Sequence, residues 1–292
     1  MSTPVELLRV PANGIEVNVA VVGSGPALLL LHGFPHTWRL WSAVIGPLSE
    51  RFRVIAPDLR GLGDSSRAAG GYDGESLAAD AERLLAALDV DSAAVVGIDA
   101  GAAPAFLLAM RRPDVVRQLV LMEAILGRLP GAEDFLAAGA PWWFGFHAVP
   151  GLAETVLAGH EAEYVDWFLA TGTQGRGISA GVRDAFVAAY TGTESLRCAF
   201  EHYRAMPETG RQIAAATAGH RLTVPVLAVG AQPVGPTLYQ QLRQIADDVT
   251  RHDIAECGHI IPLDRPEALL VALNDFLHSS PIALSDSSIT SR

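Results

Sequence analysis

Apolar residues along this chain fall into two alternating kinds of run. Short apolar runs occupy 27–31, 53–57, 93–96, 116–122 and 224–229, and shorter or more mixed ones lie at 7–10, 15–22 and 250–255. Continuous apolar character over so few positions predicts strands covered on both faces, as in a parallel sheet. Asn13-Gly14 joins the first two runs as a hairpin. Between strands the period changes. Leu77, Ala81, Leu84, Leu85 and Leu88 fall on one helical face, with Asp73 placed to cap it. Helices are likewise predicted over 38–48, 102–110, 238–245 and 265–276. Strand and helix in alternation predict a mainly parallel sheet wrapped on both sides. From about 129 to 220 the strand runs vanish, and the chain becomes helical, aromatic and interrupted by glycine. This stretch reads as a lid inserted after the sixth strand, over the carboxyl ends where open α/β sheets bind ligands. The expected organisation is a core of 1–128 and 221–292 with a helical lid of 129–220, two lobes of one folding unit.

The sharpest change of pattern is at 93–101. An apolar strand breaks at Gly97-Ile98-Asp99-Ala100-Gly101 and runs straight into a small-residue helix. The spacing is that of a nucleophile elbow, with glycines where flanking side chains would clash. The residue at its tip is Asp99 rather than serine. A carboxylate there can attack carbon and form an ester, but cannot run serine-type acyl transfer. Such an aspartate needs a base, and His259, in Gly258-His259 after the last strand, is the best placed. The base needs an acid to orient it. The loop at 230–235 offers no carboxylate, whereas the sixth strand ends in Glu123, so Glu123 is assigned that role. His32 and Asp58, also just past strand ends, read as scaffold for the loops around the site.

Composition narrows the classes without choosing among them. The 292 residues suffice for one α/β domain with an insertion, and half of them are hydrophobic. A formal net charge of −11 argues against a nucleic-acid or anionic-membrane partner. Cys198 and Cys257 have no metal-ligand spacing, and no metal site is expected. No apolar run reaches the ~18–20 residues of a membrane span. The first residues lack the charged-then-apolar pattern of a secretory signal, so a cytoplasmic location is expected. The polar stretch after His278 is expected to fray. Oligomeric state is not readable, and a homodimer stays open.

Taken together, the chain resembles the α/β-hydrolase family over about residues 5–278. The matching pieces are His-Gly-Phe-Pro at 32–35, Asp-Leu-Arg-Gly-Leu-Gly-Asp-Ser at 58–65, Gly-Ile-Asp-Ala-Gly at 97–101 and Gly-His at 258–259. The resemblance implies an α/β-hydrolase fold: a mostly parallel eight-stranded sheet, helices on both faces and an inserted helical lid. An elbow aspartate resembles epoxide hydrolases and dehalogenases. The segments at 120–124, 152–159 and 200–205 are most similar to bacterial epoxide hydrolases of the cystic-fibrosis-channel inhibitory factor type, whose acid is a glutamate after the sixth strand. The implied reaction needs no cofactor. Asp99 opens a hydrophobic small-molecule epoxide to an ester, and water activated by His259 and Glu123 releases a vicinal diol. The backbone N–H groups of Phe34 and Ala100 would form the oxyanion hole. Lid donors would hold the ring oxygen: Tyr203 on one side, and on the other Trp143 with Trp142 beside it, or His147 if the register differs. Phe34, His36, Phe144, His147 and His202 are the expected pocket residues. Haloalkane dehalogenase is the alternative activity, and a non-catalytic ligand-binding protein the alternative of another class. The arginines by which fluoroacetate dehalogenases clamp a carboxylate are replaced here by Ala100 and Ala103. The aromatic lid favours a bulky, aromatic epoxide.

Overall fold

Eight strands form one sheet in the computed structural model, which describes residues 4–278; the tail expected to fray lies outside the described residues. They are β1 (Glu6–Ala12), β2 (Ile15–Val22), β3 (Ala27–Leu31), β4 (Arg53–Pro57), β5 (Ala93–Ile98), β6 (Val116–Met122), β7 (Val226–Gly230) and β8 (Val249–Asp253). Their spatial order is β1-β2-β4-β3-β5-β6-β7-β8. β2 is antiparallel to both β1 and β4, and every other neighbouring pair is parallel. Asn13 and Gly14, both at positive φ, make the tight turn between β1 and β2. β3 and β5 are buried at every position, which is why their sequences are unbroken apolar runs. Each fully buried leucine of β3 contributes roughly 1.5–3 kcal/mol of transfer free energy.

Three elements differ from the pattern-based expectation. The helix expected over 38–48 is a 3-10 turn, Trp38–Trp41, followed by a short helix, Ile45–Ser49. Pro47 explains the break, because a residue without an N–H is tolerated only in a first turn. β7 begins at Val226 rather than 224; Pro225 cannot donate to the ladder, although its carbonyl still accepts from Leu119 N (3.0 Å). β8 runs from 249 to 253 and is half exposed, an edge strand whose pattern is too polar to bound.

The helix Gly74–Ala87 is capped as expected, with Asp73 accepting from Ser76 N at 3.1 Å. Seven helices, from Glu133 to Thr217, lie between β6 and β7. The last of them, Met206–Thr217, is tied to the start of Gly74–Ala87. Thr209 Oγ1 accepts from Gly74 N (2.9 Å) and Gln212 Oε1 from Glu75 N (3.0 Å), so side chains of the inserted segment satisfy N–H groups that a helix start leaves free.

Candidate active site

Asp99 stands at the end of β5 in a left-handed conformation, φ +52°, between the strand and the helix Ala102–Arg111. Two glycines make the elbow possible. A Cβ on Gly101 would lie 2.4 Å from the carbonyl oxygen of Leu31, and one on Gly33 would lie 2.3 Å from Asp99 Oδ1. The second contact is informative, because the loop after β3 passes close enough to bond the carboxylate. Phe34 N donates to Asp99 Oδ1 at 2.8 Å, and Ala100 N–H also hydrogen-bonds the carboxylate. The two backbone positions expected to form an oxyanion hole thus already hold the aspartate.

His259 links the other two carboxylate-bearing strand ends. Its Nε2 is 3.2 Å from Asp99 Oδ2 and its Nδ1 is 3.3 Å from Glu123 Oε2. Glu123, at φ +43° just past β6, is only 1% exposed. Its Oε1 accepts from Ala231 N (2.7 Å) and its Oε2 from Val234 N (3.3 Å). The loop after β7, which lacks a carboxylate of its own, instead supplies the donors that make a buried glutamate tolerable there.

The charges in this line are interdependent. Burial pushes His259 down, but the hydrogen bonds and charges of Asp99 and Glu123 outweigh it and lift the imidazole from 6.5 to about 10. Burial pushes Asp99 up, but His259, then the N–H groups of Phe34 and Ala100, hold it below the ordinary carboxylate value. At neutral pH the resting arrangement is therefore an imidazolium between two carboxylates.

His32 and Asp58 lie in the scaffold, as expected. His32 Nε2 accepts from Leu59 N (3.0 Å), which leaves Nδ1–H to donate to Gly33 O (2.8 Å). Asp58 accepts from Asn18 Nδ2, Trp38 N and Asp64 N.

Phe34 is the hub of the apolar wall. Its ring meets those of His147, Phe168, Tyr190 and Tyr203 edge-on at 5.2–5.5 Å. Phe144 packs on Tyr203 at 5.5 Å. The expectation that a tryptophan flanks Tyr203 is corrected here. His147 is the residue beside it, ring centroids 4.3 Å apart, and it stacks on Phe200 at 4.2 Å. Trp143 and His147 share a face of the helix Trp142–Ala148, one turn apart. That turn places Trp143 over Trp167 and Phe168, and leaves Trp142 56% exposed. His202 is also placed differently: its Nε2 donates to Arg60 O at 2.9 Å and its ring meets Tyr72. His36 is fully buried against Phe186, and neither ring nitrogen has a hydrogen-bond partner among the described residues. Burial holds His36 down at about 3, and burial with the Arg204 charge does the same to His147. Tyr203 is raised well above 10, first by burial and then by the charge of Asp99.

The family whose description is the alpha/beta hydrolase fold matches residues 26–266. The chain belongs to the α/β-hydrolase family. This hydrolase is 31% identical over 279 residues to a soluble epoxide hydrolase of Corynebacterium sp. (strain C12), covering 92% of this chain and 96% of that protein. The crystal structure of Cfl2 from Burkholderia cenocepacia superposes with a TM-score of 0.83 at 34% identity, covering 94% of this chain and 96% of that one. A fluoroacetate dehalogenase of Burkholderia sp. is 34% identical over 147 residues, 48% of each chain.

The pattern of the sequence did not single out three groups that meet this site: Gly33, the N–H groups of Ala231 and Val234, and Tyr164. Tyr164 had a readable signal, since it stands four residues before Phe168 on the helix Glu161–Gly172 and shares its face. Backbone donors leave no mark in a sequence.

Proposed function

We propose that this hydrolase opens an epoxide to a vicinal diol without a cofactor, through an ester on Asp99, with the segment 129–220 acting as the lid. The observation that carries the reading is the line Asp99–His259–Glu123 at the elbow, with the Phe34 and Ala100 N–H groups on the same carboxylate. Asp99 Oδ2 attacks a ring carbon while Oδ1 stays with its donors and becomes the ester carbonyl oxygen. The ring C–O bond breaks, its electron pair goes to the oxygen, and Tyr203, with His147 beside it, supplies the hydrogen bond and proton there. Esterification removes the Asp99 charge that holds His259 protonated. The imidazolium proton leaves through solvent as the Tyr203 phenolate takes one up, so no net charge is lost. Neutral His259, oriented by Glu123, then takes a proton from water attacking the acyl carbon. The oxyanion meets Phe34 and Ala100 N–H, each such donor typically worth ~2.7–4 kcal/mol. Collapse of the intermediate yields the diol, the Asp99 carboxylate and the imidazolium.

The substrate reading follows from the wall around Phe34. Rings from four helices around Phe34 favour a bulky, apolar or aromatic epoxide over a small polar one. Full-length similarity to a soluble epoxide hydrolase supports the reaction class. The half-length match to a fluoroacetate dehalogenase keeps halide displacement as a second reading, although Ala100 and Ala103 offer no cation for a carboxylate-bearing substrate. A panel of styrene-oxide-like and small polar epoxides, haloalkanes and haloacetate tests this. Diol formation should dominate and should vanish in Asp99→Asn. Halide release matching diol formation would move the assignment to dehalogenase. Unchanged ligand affinity with no turnover in either protein would make it a binding protein.

A further inference from the structure

We infer that Arg176, between the helices Glu161–Gly172 and Ala180–Tyr190, is a positioning residue for the base: through Asp264 it fixes the loop that carries His259. The inference rests on the epoxide reading above for its kinetic consequence and on the contacts alone for its structural one. Four backbone groups of residues 256–260 are held, directly or through one carboxylate, by residues 172–176 of the segment inserted between β6 and β7. Gly172 O accepts from Ile260 N at 2.9 Å. Gln174 Nε2 donates to Cys257 O at 3.3 Å. Arg176 Nη2 donates to Glu256 O (3.0 Å) and to Asp264 Oδ2, and its Nε to Asp264 Oδ1 (2.6 Å). Asp264 Oδ2 in turn accepts, at 2.6 Å, from the N–H of Gly258, the residue just before His259. The two loops lie so close that a Cβ on Gly258 would stand 2.2 Å from the Gly172 carbonyl oxygen.

Arg176 is the member of this strap that carries charge. The Asp264 side chain is fully buried, and a buried carboxylate is costly unless it is paired. Burial pushes Asp264 up, but the Arg176 guanidinium, then the Gly258 N–H, hold it below the ordinary carboxylate value. The planar guanidinium takes both carboxylate oxygens and still reaches Glu256 O, so one side chain ties both sides of the turn before His259. Without Arg176, Asp264 loses this ion pair and must take up a proton or admit water, and the hold on Gly258 N changes. The base has little tolerance for that. Its ring spans Asp99 at 3.2 Å and Glu123 at 3.3 Å, both at the long end of the hydrogen-bond range, so a small shift of the loop breaks them. The two chemical steps feel such a shift differently. Ester formation uses Asp99 and the donors to the substrate oxygen, whereas ester hydrolysis needs His259 as base. Arg176 therefore governs the second step.

The test separates those steps. Wild type, Arg176→Gln, Arg176→Lys and Arg183→Gln are mixed with excess styrene oxide, quenched at intervals and read by intact mass. Arg183 joins the same two helices through Asp166 and Asp184 and serves as the control. Arg176→Gln should form the Asp99 ester within about threefold of the wild-type rate and hydrolyse it roughly a hundredfold more slowly, so that ester accumulates. Arg176→Lys, which keeps the charge but not the fork, should fall between, and Arg183→Gln should match wild type. Slowing of ester formation alone, equal slowing of both steps, or unchanged rates would overturn the inference; Arg176→Lys carries the same outcomes should Arg176→Gln not fold. Absence of an Asp99 ester in both wild type and His259→Gln would overturn the epoxide reading instead, and a readout that needs no substrate then decides the inference. By NMR, the His259 imidazole, at about 10 in wild type, should titrate about one pH unit or more lower in Arg176→Gln. Removing a cation and unpairing a carboxylate would by charge alone raise it, so a fall reports movement away from Asp99 and Glu123. An unchanged or raised value would overturn the inference whatever the substrate.

Discussion

Asp99→Asn should lower the proton affinity of His259, because in the proposed mechanism the resting charge of Asp99 withholds the base until an ester forms. The wild-type imidazole is lifted from 6.5 to about 10 against the opposing effect of burial. That rise is worth about 5 kcal/mol of preference for the charged form. Two carboxylates share it, and Asp99, 3.2 Å away, is the first of the groups that raise it. An opposite charge at this range typically moves a group by about 1–3 pH units. Neutralising Asp99 while keeping its shape should therefore bring His259 down by about two pH units, roughly 3 kcal/mol. The assay is an NMR titration of the histidine imidazoles in wild type and Asp99→Asn, with His259→Gln to assign the resonance. Stability gives a second readout. A histidine whose folded value lies above 6.5 contributes stability that is fully present below 6.5 and is lost as pH rises through about 10. Wild type should lose stability across that alkaline window, and the variant should lose less. If His259 titrates at the same pH in both proteins, the Asp99 charge does not control it, and the proposed release of the base on esterification fails.

Other consequences follow from burial and close approach. His36, His147 and His202 are held by burial at about 3, 3 and 4, so the unfolded chain takes up protons below 6.5 that the folded chain refuses. Stability should hold above pH 6.5 and fall below it, by about 2 kcal/mol per histidine at pH ~5; a urea midpoint that does not fall on acidification would contradict this. Gly33→Ala would drive a methyl group into Asp99 Oδ1, 2.3 Å away. We expect a loss of about 10²-fold or more in kcat with unchanged far-UV circular dichroism, since a displacement near 1 Å costs that much; activity near wild type would mean that the carboxylate is not fixed by this loop. Glu123→Gln can keep the bond from Ala231 N, turns an amide NH2 toward Val234 N–H, and removes the charge beside His259 Nδ1. Ester should then accumulate under turnover, detected by intact mass, and ester hydrolysis should slow by roughly 10²–10⁴-fold; slowing of ester formation alone would assign Glu123 elsewhere.

The parts of this molecule legible in its sequence are those whose residue types are dictated by a single local demand. β2, β3, β4 and β6 have the bounds expected from their apolar runs, because burial on both faces permits little else and glycine, proline or a charged residue closes each run. Asp99 could be singled out because an elbow needs glycine on either side, and Glu123 because the loop after β7 had no acid to offer. The structure adds why that loop has none: its backbone binds the glutamate of its neighbour. The helices between β6 and β7 were harder to read. Trp142, Trp143, Phe146 and His147 are all plausible on an aromatic helix, and only packing against Phe200 and Tyr203 selects His147. Tyr164 reaches His147 from a different helix, seventeen residues on, a contact that no spacing within either helix encodes. β8 lost its edges for the opposite reason, since an exposed edge strand is under weak apolar selection.

In the proposed mechanism the first oxygen transferred comes from Asp99 and not from water. A single turnover with enzyme in excess over epoxide, run in ¹⁸O-labelled water, separates the two directly. An unlabelled diol and ¹⁸O in the peptide containing Asp99 are expected. Label in the diol with Asp99 unlabelled would show that water attacks the ring itself, and the ester mechanism would be wrong.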